Sequence, residues 1–255
     1  MFANLLKPTP LIDEQSKAWI DDAYLWLEQH FVSTDPQLKP RCILPTNEYY
    51  PGRVGSVDEM AQAIFSRTAD YAGMRQWPVA LRCASTGSAD NNGLPRLSFP
   101  DGLRGSDIRV VNTDYSMQGG QPVVWPYQQQ QINHPQLMIA NFAQGFAALL
   151  LQQTADNPPG GTDLRNQTID LLACYLGFGV MMANTAYQFR GGCGSCYSPT
   201  ANRQTMLTES QTVYALALHC VRNQLDSKVV RKQLKAHLKK DFKRALSQAS
   251  NFTGQ

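Results

Sequence analysis

The sequence is poor in histidine. Its 255 residues include four, His30, His134, His219 and His237. No two of them are four residues apart, so no helix can present the histidine pair with which many zinc enzymes hold their metal. The sequence therefore excludes a helical two-histidine metal site.

Long apolar runs are also missing. The apolar stretches are interrupted by Gln, Asn or Gly, and none reaches the roughly 20 residues that cross a bilayer. The first residues lack the basic start and apolar run of a secretory signal. We therefore expect a cytoplasmic protein with no membrane segment.

Charged residues are scarce at 17%, whereas hydrophobic residues make up 43% of the chain. These proportions are typical of a soluble globular protein with a sizeable core. The length suits one large domain or two small ones. Because no long linker separates two cores, we expect one domain over residues 1–255.

The small net charge of +3 comes mainly from the last stretch of the chain. Apolar residues recur there near helical spacing, which predicts a basic amphipathic helix at about residues 228–248. A solvated basic face is the ordinary role of such a segment, and contact with nucleic acid or an anionic membrane is the alternative. No aromatic stacking set accompanies the basic residues, which disfavours a nucleic-acid partner.

Two of the six cysteines form a C-x-x-C pair, Cys193 and Cys196, in a glycine-rich stretch. One such pair is half of a structural zinc site, and no second half has clear spacing. Cys220, beside His219, supplies that half only if the fold brings it close. We therefore interpret the pair as structural or incidental thiols, with metal binding and a disulfide or redox role as alternatives.

Two apolar segments, residues 136–153 and 163–189, predict a central antiparallel helix pair. The second is nearly uncharged from residue 166 to 188, which favours burial on most sides. Further helices are predicted at residues 14–31, capped by Asp13, and from Ser56 or Asp58 to Gly73. Short strands are predicted at residues 42–44, 79–84, 106–112 and 122–127, with a turn at Gly119 and Gly120. The predicted fold is α+β and rich in helix, with a small sheet.

Three segments carry a family resemblance. They read CILPTNEYYPGRVGSVDEMAQAIFSRTADYAGM (residues 42–74), GFGVMMANTAYQF (177–189) and MLTESQTVYALALHCV (206–221). The chain resembles an uncharacterised bacterial family of the zincin-type metallopeptidases over about four fifths of its length. The resemblance implies a zincin-like domain with the sheet packed on the helix pair.

The zinc chemistry of that family is missing at the matching positions. The family has His-Glu-x-x-His on the first core helix and a Glu at the start of the second, shortly before a Thr-Asp pair. The two histidine positions hold Asn141 and Gly145, the general-base position holds Phe142, and the third-ligand position holds Asn166. Asp170 alone is retained. We therefore expect no zinc at this site, no cofactor, and apolar bulk from Phe142 beside the former metal position.

These replacements favour a non-catalytic pseudo-peptidase that serves as a protein-binding, regulatory or structural subunit. The sequence does not identify its protein partner. The alternative is an enzyme with rebuilt chemistry, such as a hydrolase or a thiol-dependent enzyme using the Cys193 and Cys196 loop. Glu48, His134 and Asp170 are its other candidate groups, with Glu48 and His134 placed at the cleft. Their ordinary roles would be turn, cap and buried hydrogen-bonding residues.

Overall fold

The computed structural model describes residues 9–33, 35–52, 55–83, 102–105, 123–186 and 205–252. Helices dominate this part of the chain, and two short strands form a small sheet. The helices are α1 (Glu14–His30), α2 (Val57–Ala72), α3 (Pro135–Gln153), α4 (Arg165–Ala173), α5 (Gly179–Ala186), α6 (Glu209–Arg222), α7 (Ser227–Gln233) and α8 (Leu238–Ala249). The strands are β1 (Val79–Cys83) and β2 (Val123–Tyr127), and a 3-10 turn at Gln129–Asn133 precedes α3. The prediction of a helix-rich α+β fold is confirmed.

Side-chain caps begin the first two helices where the sequence predicts them. The Asp13 carboxylate accepts a hydrogen bond from the amide of Ser16 at 2.8 Å, and the Ser56 hydroxyl accepts one from the amide of Glu59 at 3.1 Å. Each bond satisfies an amide that the first turn of a helix leaves without a partner. Gly73 ends α2 with a φ of 76°, a conformation that glycine adopts without strain.

The two strands run parallel, with Val79 opposite Val123 and Cys83 opposite Tyr127. The predicted strands at 79–84 and 122–127 are therefore confirmed, whereas the strand at 106–112 and its turn lie outside the described residues. The predicted strand at 42–44 is wrong. The amide of Ile43 donates to the carbonyl of Gly177 at 2.8 Å, and this neighbour belongs to a helical segment. A helix offers no strand edge, so no ladder forms.

Helices α4 and α5 belong to one apolar segment, Arg165–Ala186, interrupted by a π-helical turn at Cys174–Phe178. The segment is long and apolar enough to cross a membrane by length and composition, but 83% of its most apolar window is buried in the protein. It packs on α3. Gly177 has a φ of 101°, and a Cβ there would lie 2.5 Å from the carbonyl oxygen of Arg41. The close approach of residues 41–43 therefore requires glycine.

The basic C-terminal segment forms two helices, α7 and α8, so the single helix predicted at 228–248 is wrong. Asn184, 3% exposed, accounts for the break between them. Its side-chain amide donates to the carbonyl of Gln233 at 2.9 Å and accepts from the amide of Lys235 at 2.9 Å. Because these two backbone groups pair with Asn184, the chain between α7 and α8 does not continue as a helix. The predicted amphipathic pattern is nevertheless confirmed, because Leu238 and Phe242 are buried.

Candidate functional site

One face of α3 opens onto a cavity of about 280 Å³. Asn141, Gln144, Gly145 and Ala148 share this face because they are three, four and seven residues apart. The other lining residues are Trp125 from β2, Asn166 and Ile169 from α4, and Met206. The fold therefore brings Asn141, Gly145 and Asn166, which the family resemblance matches to zinc ligands, to a single cavity.

The indole of Trp125 fills the space beside Gly145. A Cβ added to Gly145 would lie 1.7 Å from Cζ2 of the indole, far inside contact distance. The indole also packs on Phe146, with ring centres 5.7 Å apart. A side chain at position 145 would therefore have to displace a packed aromatic ring.

Phe142 lies away from this cavity, which corrects the expectation that it adds bulk beside the former metal position. Its side chain is 2% exposed, and its ring meets that of Phe65 of α2 edge to face, with centres 5.2 Å apart. The next residue along a helix points about 100° further round the axis, so Phe142 faces α2 while Asn141 faces the cavity. Trp125 provides the apolar bulk instead.

Asp170 is fully buried behind the cavity. Its carboxylate accepts hydrogen bonds from the amides of Met206 and Leu207, at 2.8 and 3.1 Å, and from Nε2 of Gln144 at 2.6 Å. These bonds tie the chain that leads into α6 to the two core helices. Asp170 therefore holds backbone in place, the ordinary role expected of it from the sequence.

The cavity lining does not fit zinc. Its polar side chains are the carboxamides of Asn141, Gln144 and Asn166, whereas zinc in proteins takes thiolate, imidazole or carboxylate ligands. In the described ranges, no three His, Cys, Asp or Glu residues are placed to hold a metal ion. Carboxamides and an indole can hydrogen-bond an uncharged polar group and cover an apolar one.

The other candidate residues do not converge on this cavity. Glu48 is exposed in a turn, and His134 is exposed at the start of α3. Their neighbours Asn47 and Pro135 line a separate cavity of about 460 Å³ beside α2. Cys193 and Cys196 lie outside the described residues.

Cys220 and His219 point to different partners, so they do not form one site. Sγ of Cys220 lies 3.7 Å from Sγ of Cys42, and both residues are buried. Nε2 of His219 lies 3.1 Å from the carbonyl oxygen of Arg41, and Nδ1 lies 2.8 Å from the hydroxyl of Tyr24. A carbonyl only accepts, so Nε2 carries the proton and Nδ1 accepts from Tyr24. Burial lowers the pKa of His219 to about 4 and keeps it neutral.

Comparison of the chain with protein-family models, with curated proteins and with solved structures gives no match. The chemistry of the site is therefore what indicates a function. That chemistry is uncharged, because the lining combines carboxamides with apolar and aromatic groups. Such a lining suits binding better than proton transfer or metal-assisted hydrolysis.

Proposed function

We propose that this protein is a non-catalytic, zincin-like protein that binds a partner protein through the cavity between α3 and α4. One observation carries the proposal. Asn141, Gly145 and Asn166, the positions matched to zinc ligands through the family resemblance, line one cavity and supply no zinc ligand. A peptidase would need a metal to activate water and a carboxylate to take its proton.

An antiparallel α3 and α4–α5 pair is part of this proposal, and three contacts support it. Near the end of α3, the carbonyl of Leu151 accepts from Arg165 at 3.0 Å. Further back along α3, Gln144 contacts Asp170 at 2.6 Å. At the start of α3, Gln136 accepts from Asn184 at 2.8 Å. Across these three contacts the residue numbers decrease along α3 while they increase along α4 and α5. This order favours helices that run in opposite directions.

An uncharged peptide segment is the partner chemistry that the cavity favours. A peptide backbone offers both donors and acceptors, and the carboxamides of Asn141 and Asn166 can pair with either. Trp125, Ile169 and Met206 offer apolar surface for a side chain of the same peptide.

The proposal also assigns the protein to the cytoplasm. In that reducing compartment Cys42 and Cys220, whose sulfur atoms lie 3.7 Å apart, stay reduced.

A matched pair of arginine substitutions tests the binding role. Ala148→Arg places a long charged side chain in the cavity, whereas Ala155→Arg makes the same change at an exposed position after α3. Partners captured from the native host by the unmodified protein should be retained by Ala155→Arg and lost with Ala148→Arg. Equal capture by both variants would contradict the proposal. Chelator-sensitive peptide hydrolysis that Ala148→Arg abolishes would show an active peptidase instead.

Rebuilding the metal site tests the zincin-like interpretation. Asn141→His, Gly145→His and Asn166→Glu restore the three ligands, and Trp125→Ala makes room for the second histidine. Phe142 is left unchanged, because a carboxylate there would be buried against Phe65. We expect about one zinc ion per chain in the four-residue variant. A folded variant that binds no zinc would refute the proposed correspondence of positions.

A further inference from the structure

A third cavity, of about 280 Å³, lies between the end of α1, residues 32–33 and 38–41, and the π-helical turn. Val32 and Lys39 are exposed where it meets solvent. The buried residues Arg104, Leu176 and His219 line its interior. The cavity therefore leads from the surface to a buried guanidinium group.

Arg104 is 8% exposed and has lost nearly all of its water. Nε donates to the carbonyl of Ala72 and Nη1 to that of Phe31, both at 2.8 Å. These two bonds join the C-terminal ends of α2 and α1, and a side-chain hydrogen bond also links Arg104 to Tyr175, so part of the five-donor guanidinium is left for a ligand. Within the described ranges, no carboxylate forms an ion pair with Arg104. A buried charge without an opposite charge is costly to a fold.

Arg104 is nevertheless charged. Burial lowers its pKa to about 10, which still leaves the guanidinium protonated at neutral pH. The helix ends that it joins supply only partial negative charge. The guanidinium lies 5.9 Å from the ring centre of Tyr175, which also lines the cavity. The positive charge thus faces a space large enough for a small molecule.

The other charged groups around the cavity leave a positive excess. Lys39 and Arg41 line it, and among the residues that the structure describes the lining carboxylate is that of Glu28. Glu28 is already paired with Arg222, which donates from Nη2 at 2.6 Å and from Nε at 3.2 Å. His219 is neutral and adds no charge. Among the described lining residues, three cations therefore face the cavity, and the carboxylate of Glu28 is already neutralised by Arg222.

We propose that this cavity binds a small organic anion, whose carboxylate or phosphate group pairs with Arg104. Planar guanidinium groups match both kinds of acidic oxygen group with parallel hydrogen bonds. The rings of Tyr71 and Tyr175 provide flat apolar walls for the rest of the ligand. The site is separate from the cavity between α3 and α4, so an experiment that refutes one of the two proposals leaves the other untouched.

Calorimetric titration with sodium phosphate and with sodium benzoate tests the proposal, with sodium chloride keeping the ionic strength constant. The double variant Lys39→Gln/Arg41→Gln removes two charges near Arg104, and the Arg41 carbonyl that pairs with His219 is kept. The control, Lys240→Gln/Lys243→Gln, removes two exposed charges on α8. We expect saturable binding of at least one probe, about tenfold weaker in the cavity variant and unchanged in the control.

Two outcomes would overturn the proposal. The first is the absence of saturable binding by both probes. The second is equal weakening in the cavity variant and the α8 control, which would mean an adventitious ion only. Arg104→Lys keeps the charge but loses the fork of donors, so a folded variant should bind the same probe more weakly than the unmodified protein. Unchanged binding by that folded variant would also overturn the proposal.

Discussion

The indole of Trp125 occupies the position that a side chain on residue 145 would take, 1.7 Å from the Cβ that Gly145 lacks. Glycine in an apolar helix costs about 1 kcal/mol relative to alanine. The close approach of β2 explains why glycine is tolerated here, because the indole covers bare backbone. The same contact closes part of the space that a second zinc ligand would need.

Gly145→Ala should destabilise the protein by about 1–3 kcal/mol, because the new methyl group must displace the indole. Trp125→Ala should remove that cost, so that Gly145→Ala in this background becomes neutral or stabilising through helix propensity. Urea unfolding of the four proteins in the cycle measures the coupling between the two sites. Additive effects would show that the ring and Gly145 are independent.

Asp170→Asn should lower the free energy of unfolding by about 3 kcal/mol. One carboxylate oxygen accepts from the amides of both Met206 and Leu207, so an asparagine that keeps these bonds turns its NH2 group toward Nε2 of Gln144 and leaves a buried donor facing a donor. Gln144→Ala removes one hydrogen bond to the same carboxylate and should cost about 1 kcal/mol. Chemical denaturation compares the variants. An Asp170→Asn protein as stable as the unmodified one would contradict the anchoring role.

His219 should make the protein less stable in acid. Burial lowers its pKa from 6.5 to about 4, and the positive charge of Arg104 acts in the same direction. Below pH 6.5 the unfolded chain gains a proton at this histidine, whereas the folded protein does not until about pH 4. The free energy of unfolding therefore falls as the pH drops through this window. A pKa difference of about 2.5 corresponds to about 3 kcal/mol.

His219→Gln provides the comparison, because glutamine can still donate to the carbonyl of Arg41 but does not titrate. Unfolding should be measured for both proteins between pH 7.5 and 4.5. We expect the free energies of unfolding of the two proteins to converge as the pH falls, because the unmodified protein loses more stability than His219→Gln. Parallel curves would show that His219 does not control the acid sensitivity.

Local features of the sequence predicted much of the fold. Asp13, Ser56 and Gly73 mark helix ends through bonds to residues a few positions away, so the sequence alone identifies them. The break between α7 and α8 depends on Asn184, about 50 residues earlier, and no local pattern could indicate it. The predicted strand at 42–44 failed for a related reason. Its partner is Gly177 in a helical segment.

The cavity between α3 and α4 was predictable only in part. The spacing of Asn141 and Gly145 places them on one helix face, and the family resemblance added Asn166 from α4. Trp125 was missed, although a glycine inside an apolar helix is a signal of close approach by another group. The Arg104 cavity had no sequence signal, because α1, α2, α6 and the π-helical turn meet there only in the folded protein.

Cys42 and Cys220 should be poor nucleophiles in the folded protein. The hydrogen bond between the two thiols and the burial of the site raise the pKa of Cys42 well above its usual value. A protonated, buried thiol reacts slowly with alkylating agents. Brief treatment with iodoacetamide at pH 7.5, followed by peptide mass spectrometry, should therefore modify the partly exposed Cys83 at least about tenfold faster than Cys42. In urea the two cysteines should react at similar rates, which controls for differences between peptides. Equal rates in the folded protein would show that the Cys42 site opens readily and would contradict the protection expected from burial.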